Sequence, residues 1–107
     1  VRLTLYWQAS GPRPDGTYIG FVHLYDPATS TIIAQDDHEL GRQRYPLSVW
    51  QAGEVVVERY ALQVPEDVAP GQYALRTGVY TWPDLIRLNV PGHPDRVIEL
   101  GPVGVGR

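Results

Sequence analysis

Ten prolines and eleven glycines are spread through 107 residues, so the apolar positions fall into short runs and no helix of more than about two turns is expected. What lies between these breakers alternates. Leu3, Leu5 and Trp7 interleave with Arg2, Thr4, Tyr6 and Gln8, the period of a half-buried strand over about residues 2 to 9. Gly11 to Gly16, with Pro12 and Pro14, reads as a loop. Thr17 to Tyr25 is a strand apolar on both faces through Ile19, Phe21, Val22 and Leu24, which predicts a central position. Asp26 to Ser30 is a turn and Thr31 to Asp36 a third strand, which together make a hairpin.

Alternation fails from Asp37 to Gly53, where a long structured loop carrying His38 is expected. Glu54 to Val64 is rich in β-branched residues and ends at Pro65. Residues 72 to 81 form a fifth strand with Tyr73, Leu75, Thr77 and Val79 on one face. Thr81 to Asp84 is a turn, Ile86 to Asn89 a short return, the segment around His93 a loop, and Arg96 to Leu100 a last strand. Six or seven short strands with Gly- and Pro-rich connections predict an all-β fold: an antiparallel two-sheet β-sandwich of the immunoglobulin or fibronectin kind, with a jelly roll or small barrel as the alternative. The expected core is Leu3, Leu5, Trp7, Val22, Leu24, Tyr73, Leu75 and Val79. Pro70-Gly71-Gln72-Tyr73 predicts a tyrosine corner, with the Tyr73 hydroxyl bonded to backbone within Glu66 to Ala69.

With 43% hydrophobic residues, seven Tyr, three Trp and one Phe, the chain can fill one core, and residues 1–107 are expected to be a single domain. No apolar run reaches the roughly 18 residues that span a bilayer, so no direct membrane insertion is expected. All nine basic residues are Arg against twelve acids, a net charge of −3 with no basic stretch, which argues against nucleic acid as a partner. The lack of Cys excludes disulfides, zinc–thiolate sites and thiol catalysis. With no Met, the chain is expected to be a domain excised from a longer protein.

Tyr45-Pro-Leu-Ser-Val-Trp-Gln-Ala-Gly-Glu-Val-Val-Val57, preceded by Phe21-Val-His-Leu-Tyr-Asp26 and followed by Pro70-Gly-Gln-Tyr-Ala-Leu-Arg-Thr-Gly-Val-Tyr80, resembles the β-sandwich module appended to bacterial multi-pass membrane proteins of the glycosyltransferase family 39 type, similar to dolichyl-phosphate-mannose protein mannosyltransferases. The resemblance runs from about Leu3 to the last strand. It implies an extracytoplasmic accessory domain in the bacterial cell envelope whose partner is the remainder of the parent protein. In such parents the sugar-transfer residues lie in or beside membrane helices, so the module carries no catalysis of its own. Thr81-Trp82-Pro83-Asp84 departs from the Asp-rich turn expected there.

The residues themselves support no reaction. Asp36-Asp37-His38-Glu39 is the densest polar cluster, but neighbours on a strand point to opposite faces, so Asp36 and Asp37 cannot both converge on one ion unless a turn redirects one of them. No metal or cofactor is expected. His23 lies on the doubly apolar strand as a core or interface residue, without the nucleophile and carboxylate of a hydrolytic triad. Loop aromatics remain: Trp82, Trp50, Tyr45 and Tyr80, with Asp84, are the candidate glycan contacts, Trp50 also being suited to plug the end of the sandwich. Three readings follow: a non-catalytic structural or interaction module, a weak carbohydrate-binding module, and a stand-alone hydrolase that would need a cleft joining Asp36, His38 or Glu58.

Overall fold

A computed structural model describes residues 1–9 and 14–106, apart from the side chain of Gln43. Six strands occur in chain order: β1 (Arg2–Trp7), β2 (Thr17–Asp26), β3 (Thr31–Glu39), β4 (Val56–Ala61), β5 (Gly71–Trp82) and β6 (Ile98–Val105). They form two antiparallel sheets, β1-β4 and β3-β2-β5-β6, packed face to face as a sandwich and not closed into a barrel. The only helical pieces among the described residues are two 3₁₀ turns, Leu40–Gln43 and Leu47–Val49. Part of the loop expected from Gly11 to Gly16 lies outside the described residues.

β2 is central, paired with β3 on one side and β5 on the other, as its two apolar faces require. Its inner face, Gly20, Val22 and Leu24, is buried against Tyr60 and Leu62, with Tyr73 and Leu75 of β5 beside it. The outer face carries Phe21, His23 and Tyr25. Tyr73 enters β5 with its hydroxyl donating to the Ala69 carbonyl at 2.6 Å, the expected corner.

Several boundaries differ from the sequence reading, each for a physical reason. β3 continues to Glu39, so His38 stands on a strand and not in a loop. The polar alternation there is sheet periodicity, with inward Asp36 and His38 finding partners on β4. β4 is shorter than Glu54 to Val64, because Gly53 and Glu54 are tied into a turn through Gln51. The return at Ile86 to Asn89 is a single bridge, Tyr80 with Arg87. β6 starts later and runs on to Val105, its Pro102 tolerated on an edge and Gly101 at φ 105° absorbing the bulge opposite Leu75 and Arg76. Of the expected core, Val22, Leu24, Tyr73, Leu75 and Val79 are buried, whereas Leu3, Leu5 and Trp7 are only partly so.

That last difference follows from an uneven closure of the sandwich. On the β3–β4 side the edges are laced together: the Ala61 N–H donates to Asp36 at 2.9 Å, the Arg42 guanidinium donates to the Arg59 carbonyl at 3.2 Å, and His38 meets Glu58 at 3.4 Å. On the β1–β6 side nothing comparable joins the sheets among the described residues. The inward positions of β6, Ile98, Val103 and Val105, stay half-exposed with those of β1.

Candidate functional site

The uneven closure leaves an apolar groove of about 920 Å³ at the end of the sandwich where β1, β5 and the 88–94 segment meet. Trp7, Tyr18, Leu47, Trp50 and Val79 form its floor and Leu88 one wall. The wall is fixed by backbone: the Leu88 N–H donates to the Val79 carbonyl at 2.8 Å, the His93 N–H to Val90 at 2.9 Å, and the Arg96 N–H to His93 at 2.9 Å. Tyr6, an outward residue 70% exposed, still borders the groove, which therefore reaches the free edge of β1. The polar side chains at its rim are Gln8, Asn89 and His93. Among the described residues no nucleophile with a positioned base lines it.

Trp50 is 2% exposed, with its indole N–H donating to the Tyr45 carbonyl at 2.8 Å. It plugs the groove floor and presents no open face on which a sugar ring could stack. Tyr45 in turn donates its hydroxyl to Glu54, which raises the Tyr45 pKa and lowers that of Glu54. Trp7 lies close to the Tyr60 hydroxyl and partly offsets a pKa that burial and then Glu58 push upward. The contact falls short of hydrogen-bond geometry, and both polar atoms are buried without another partner among the described residues.

Tyr80 and Trp82 stand elsewhere. Tyr80 is on the outer face of the large sheet, its hydroxyl donating to Asp37 at 3.0 Å, and burial together with that bond pushes its pKa up to about 12. Asp37 also meets His23 at 3.2 Å, and the Arg87 guanidinium sits 5.5 Å over the Phe21 ring, so these residues surround a depression of about 280 Å³. Trp82 is 57% exposed and Asp84 is exposed beside it; with Leu85 and Ile86 they make an apolar turn held by the Thr81 N–H to Ile86 and Leu85 N–H to Thr81 bonds. The five candidate glycan contacts thus do not converge: Trp50 and Tyr45 belong to the groove end, Tyr80 to the outer face, Trp82 and Asp84 to an exposed turn.

The structure does bring Asp36, His38 and Glu58 together. His38 lies between them, Nδ1 3.2 Å from Asp36 and Nε2 3.4 Å from Glu58, with its ring stacked on Tyr60 at 4.5 Å. Glu58 is 4% exposed and also accepts the Gly41 N–H at 2.5 Å. This cluster lines neither cavity: its bonds are spent between β3 and β4, where it joins two sheet edges. Among the described residues no group of three or more His, Cys, Asp or Glu could hold a metal ion, and no helix is long and apolar enough to cross a membrane.

The groove itself was missed by sequence reasoning. Its floor residues are scattered from Trp7 to Val79, and the only signal is the isolated apolar set Leu40, Tyr45, Leu47, Val49 and Trp50 between Asp37 and Gly53, of which Leu40, Leu47 and Trp50 line the groove. Compared with protein-family models, with curated proteins and with solved structures, the chain matches none of them.

Proposed function

We propose that this chain is a non-catalytic accessory domain of a longer envelope protein, a membrane glycosyltransferase-like parent, and that it holds to the rest of that protein through the apolar groove. The observation that carries this reading is the groove's lining: an apolar floor between two sheets, with Trp7 and Leu88 half-exposed above buried Val79 and no reacting group among them. An apolar cleft of this size favours a partner that removes it from water, at about 25 cal/mol per Å² of apolar surface covered. The resemblance of the Tyr45–Val57 and Pro70–Tyr80 segments to such a module supports this choice of parent and an extracytoplasmic location.

The test uses the longer protein. After the connection to the domain is cut by protease, the wild-type domain should stay associated, and Leu88→Glu should release it. Equal release of both would overturn the reading. Purified domain should turn over neither glycosides nor sugar nucleotides.

Weak carbohydrate binding is the second reading, favoured by one observation: Trp82 and Asp84 are exposed side by side at a turn. A glycan titration would then shift resonances at Trp82 and lose them in Trp82→Ala, at millimolar to high-micromolar affinity, since so shallow a surface must first offset several kcal/mol of lost freedom.

A further inference from the structure

A hydrogen-bonding edge runs up to the groove at Tyr6. The Val1 amino group donates to the Leu62 carbonyl at 2.8 Å and the Leu62 N–H to Val1 at 2.7 Å, so Val1 and Leu62 exchange both bonds. Antiparallel pairs alternate, and the register Arg2 with Ala61 through Trp7 with Val56 therefore turns the N–H and C=O groups of Arg2, Thr4 and Tyr6 away from β4. The same parity on β4 turns Arg59 and Ala61 outward, where Arg42 and Asp36 meet them. On β1 no partner meets the outward groups among the described residues.

The other three edges are guarded. β4 is capped by Asp36 and Arg42, β3 turns Asp36 and His38 inward at its outer edge, and β6 carries Gly101, Pro102, Gly104 and a bulge. β1 has no proline, glycine or bulge from Arg2 to Trp7. It is also the edge beside half-exposed Leu3, Leu5, Val103 and Val105 and the mouth of the groove. An open ladder lies beside an open apolar floor, which is the combination that strand addition uses: main-chain bonds for affinity, alternate side chains for fit.

The geometry points to an extended polypeptide segment, apolar at alternate positions and about six residues long, as the occupant: it pairs with the free edge of β1 and inserts its inward side chains toward the groove. This rests on the proposed docking role of the groove and specifies the form of the partner. A second copy of the chain fits less well. Its own Leu3, Leu5 and Trp7 are already turned into its own sandwich, so an edge-to-edge dimer would complete the ladder and leave the floor uncovered.

The experiment is amide hydrogen exchange by NMR on the 107-residue chain with the probe peptide acetyl-Lys-Thr-Val-Thr-Val-Thr-Lys-amide at millimolar concentration. The peptide should slow exchange at Thr4 and Tyr6 at least ten-fold and change little at Leu3 and Leu5, which already face β4. A version with two adjacent central residues replaced by proline should not. Exchange at Thr4 and Tyr6 unchanged by either peptide would overturn the inference. So would protection without peptide that rises with domain concentration, because a second copy would then fill the edge. Shifts at Val79 and Leu88 with Thr4 and Tyr6 still open would overturn the strand while leaving the groove as a docking site.

Discussion

The ring of Phe21 lies across Gly78, its register partner on the neighbouring strand, so closely that a Cβ at 78 would fall 2.7 Å from two ring carbons and 3.1 Å from the Arg96 carbonyl. Glycine is required there by space, and in return Phe21 is buried on the outer face of the sheet, where strand residues are usually wet. Gly78→Ala should cost about 1–3 kcal/mol through overpacking, read as a fall of several degrees in melting temperature. Phe21→Leu in the same chain should recover part of that loss, and additive losses would show that the ring is not the obstacle.

Tyr73 anchors the connection into β5 through its bond to Ala69. Tyr73→Phe keeps the packing and leaves the carbonyl without this donor, a loss of about 1 kcal/mol, and the melting temperature should drop by roughly 4 °C or more. An unchanged melt would remove the corner from the account.

Glu58 has few substitutes as the acceptor between β4 and the Leu40–Gln43 turn. Glu58→Ala leaves the Gly41 N–H and one side of His38 unsatisfied in a nearly dry place, which should cost about 1–3 kcal/mol. Glu99→Gln, altering a surface carboxylate that accepts from Tyr25, should stay within about 0.5 kcal/mol in the same denaturant titration. Equal effects would mean that the β3–β4 seam contributes nothing special.

Alkaline pH should loosen the fold through its tyrosines. The Tyr80 pKa is raised to about 12 against an ordinary value of 10, and that of Tyr60 is raised as well. Below pH 10 both folded and unfolded chains hold these protons, so stability does not change on their account; between 10 and 12 the unfolded chain has lost protons that the folded chain keeps, and stability falls as pH rises. Melting temperatures from pH 9 to 12 should decline, and Tyr80→Phe should decline less steeply. A flat profile, or one indifferent to Tyr80→Phe, would contradict the assignment.

The sandwich was legible because its central strands obey simple rules: Val22 and Leu24 alternate with Phe21 and His23, and Pro70-Gly71-Gln72-Tyr73 announces a corner by spacing alone. Sequence alone ends β3 at Asp36, because inward charges look like a loop until their partners on a distant strand are known. Leu3, Leu5 and Trp7 read as core from their phase, but phase tells which face a residue takes and not whether a neighbour covers that face. The same limit hid the groove, whose walls are brought together by tertiary packing. Trp50 illustrates it at one residue: an aromatic in a loop suits a sugar or a plug, and its burial with the bond to the Tyr45 carbonyl puts it in the floor.

The central claim is that the groove at the open seam is covered in the longer protein. Hydrogen exchange across Tyr6–Ala9 and Asn89–His93 should be compared between the isolated domain and the same domain within its parent chain. The account predicts that both segments exchange at least ten-fold more slowly in the parent while the Trp82–Ile86 turn does not change. Identical rates at Tyr6–Ala9 and Asn89–His93 in the two forms would contradict it.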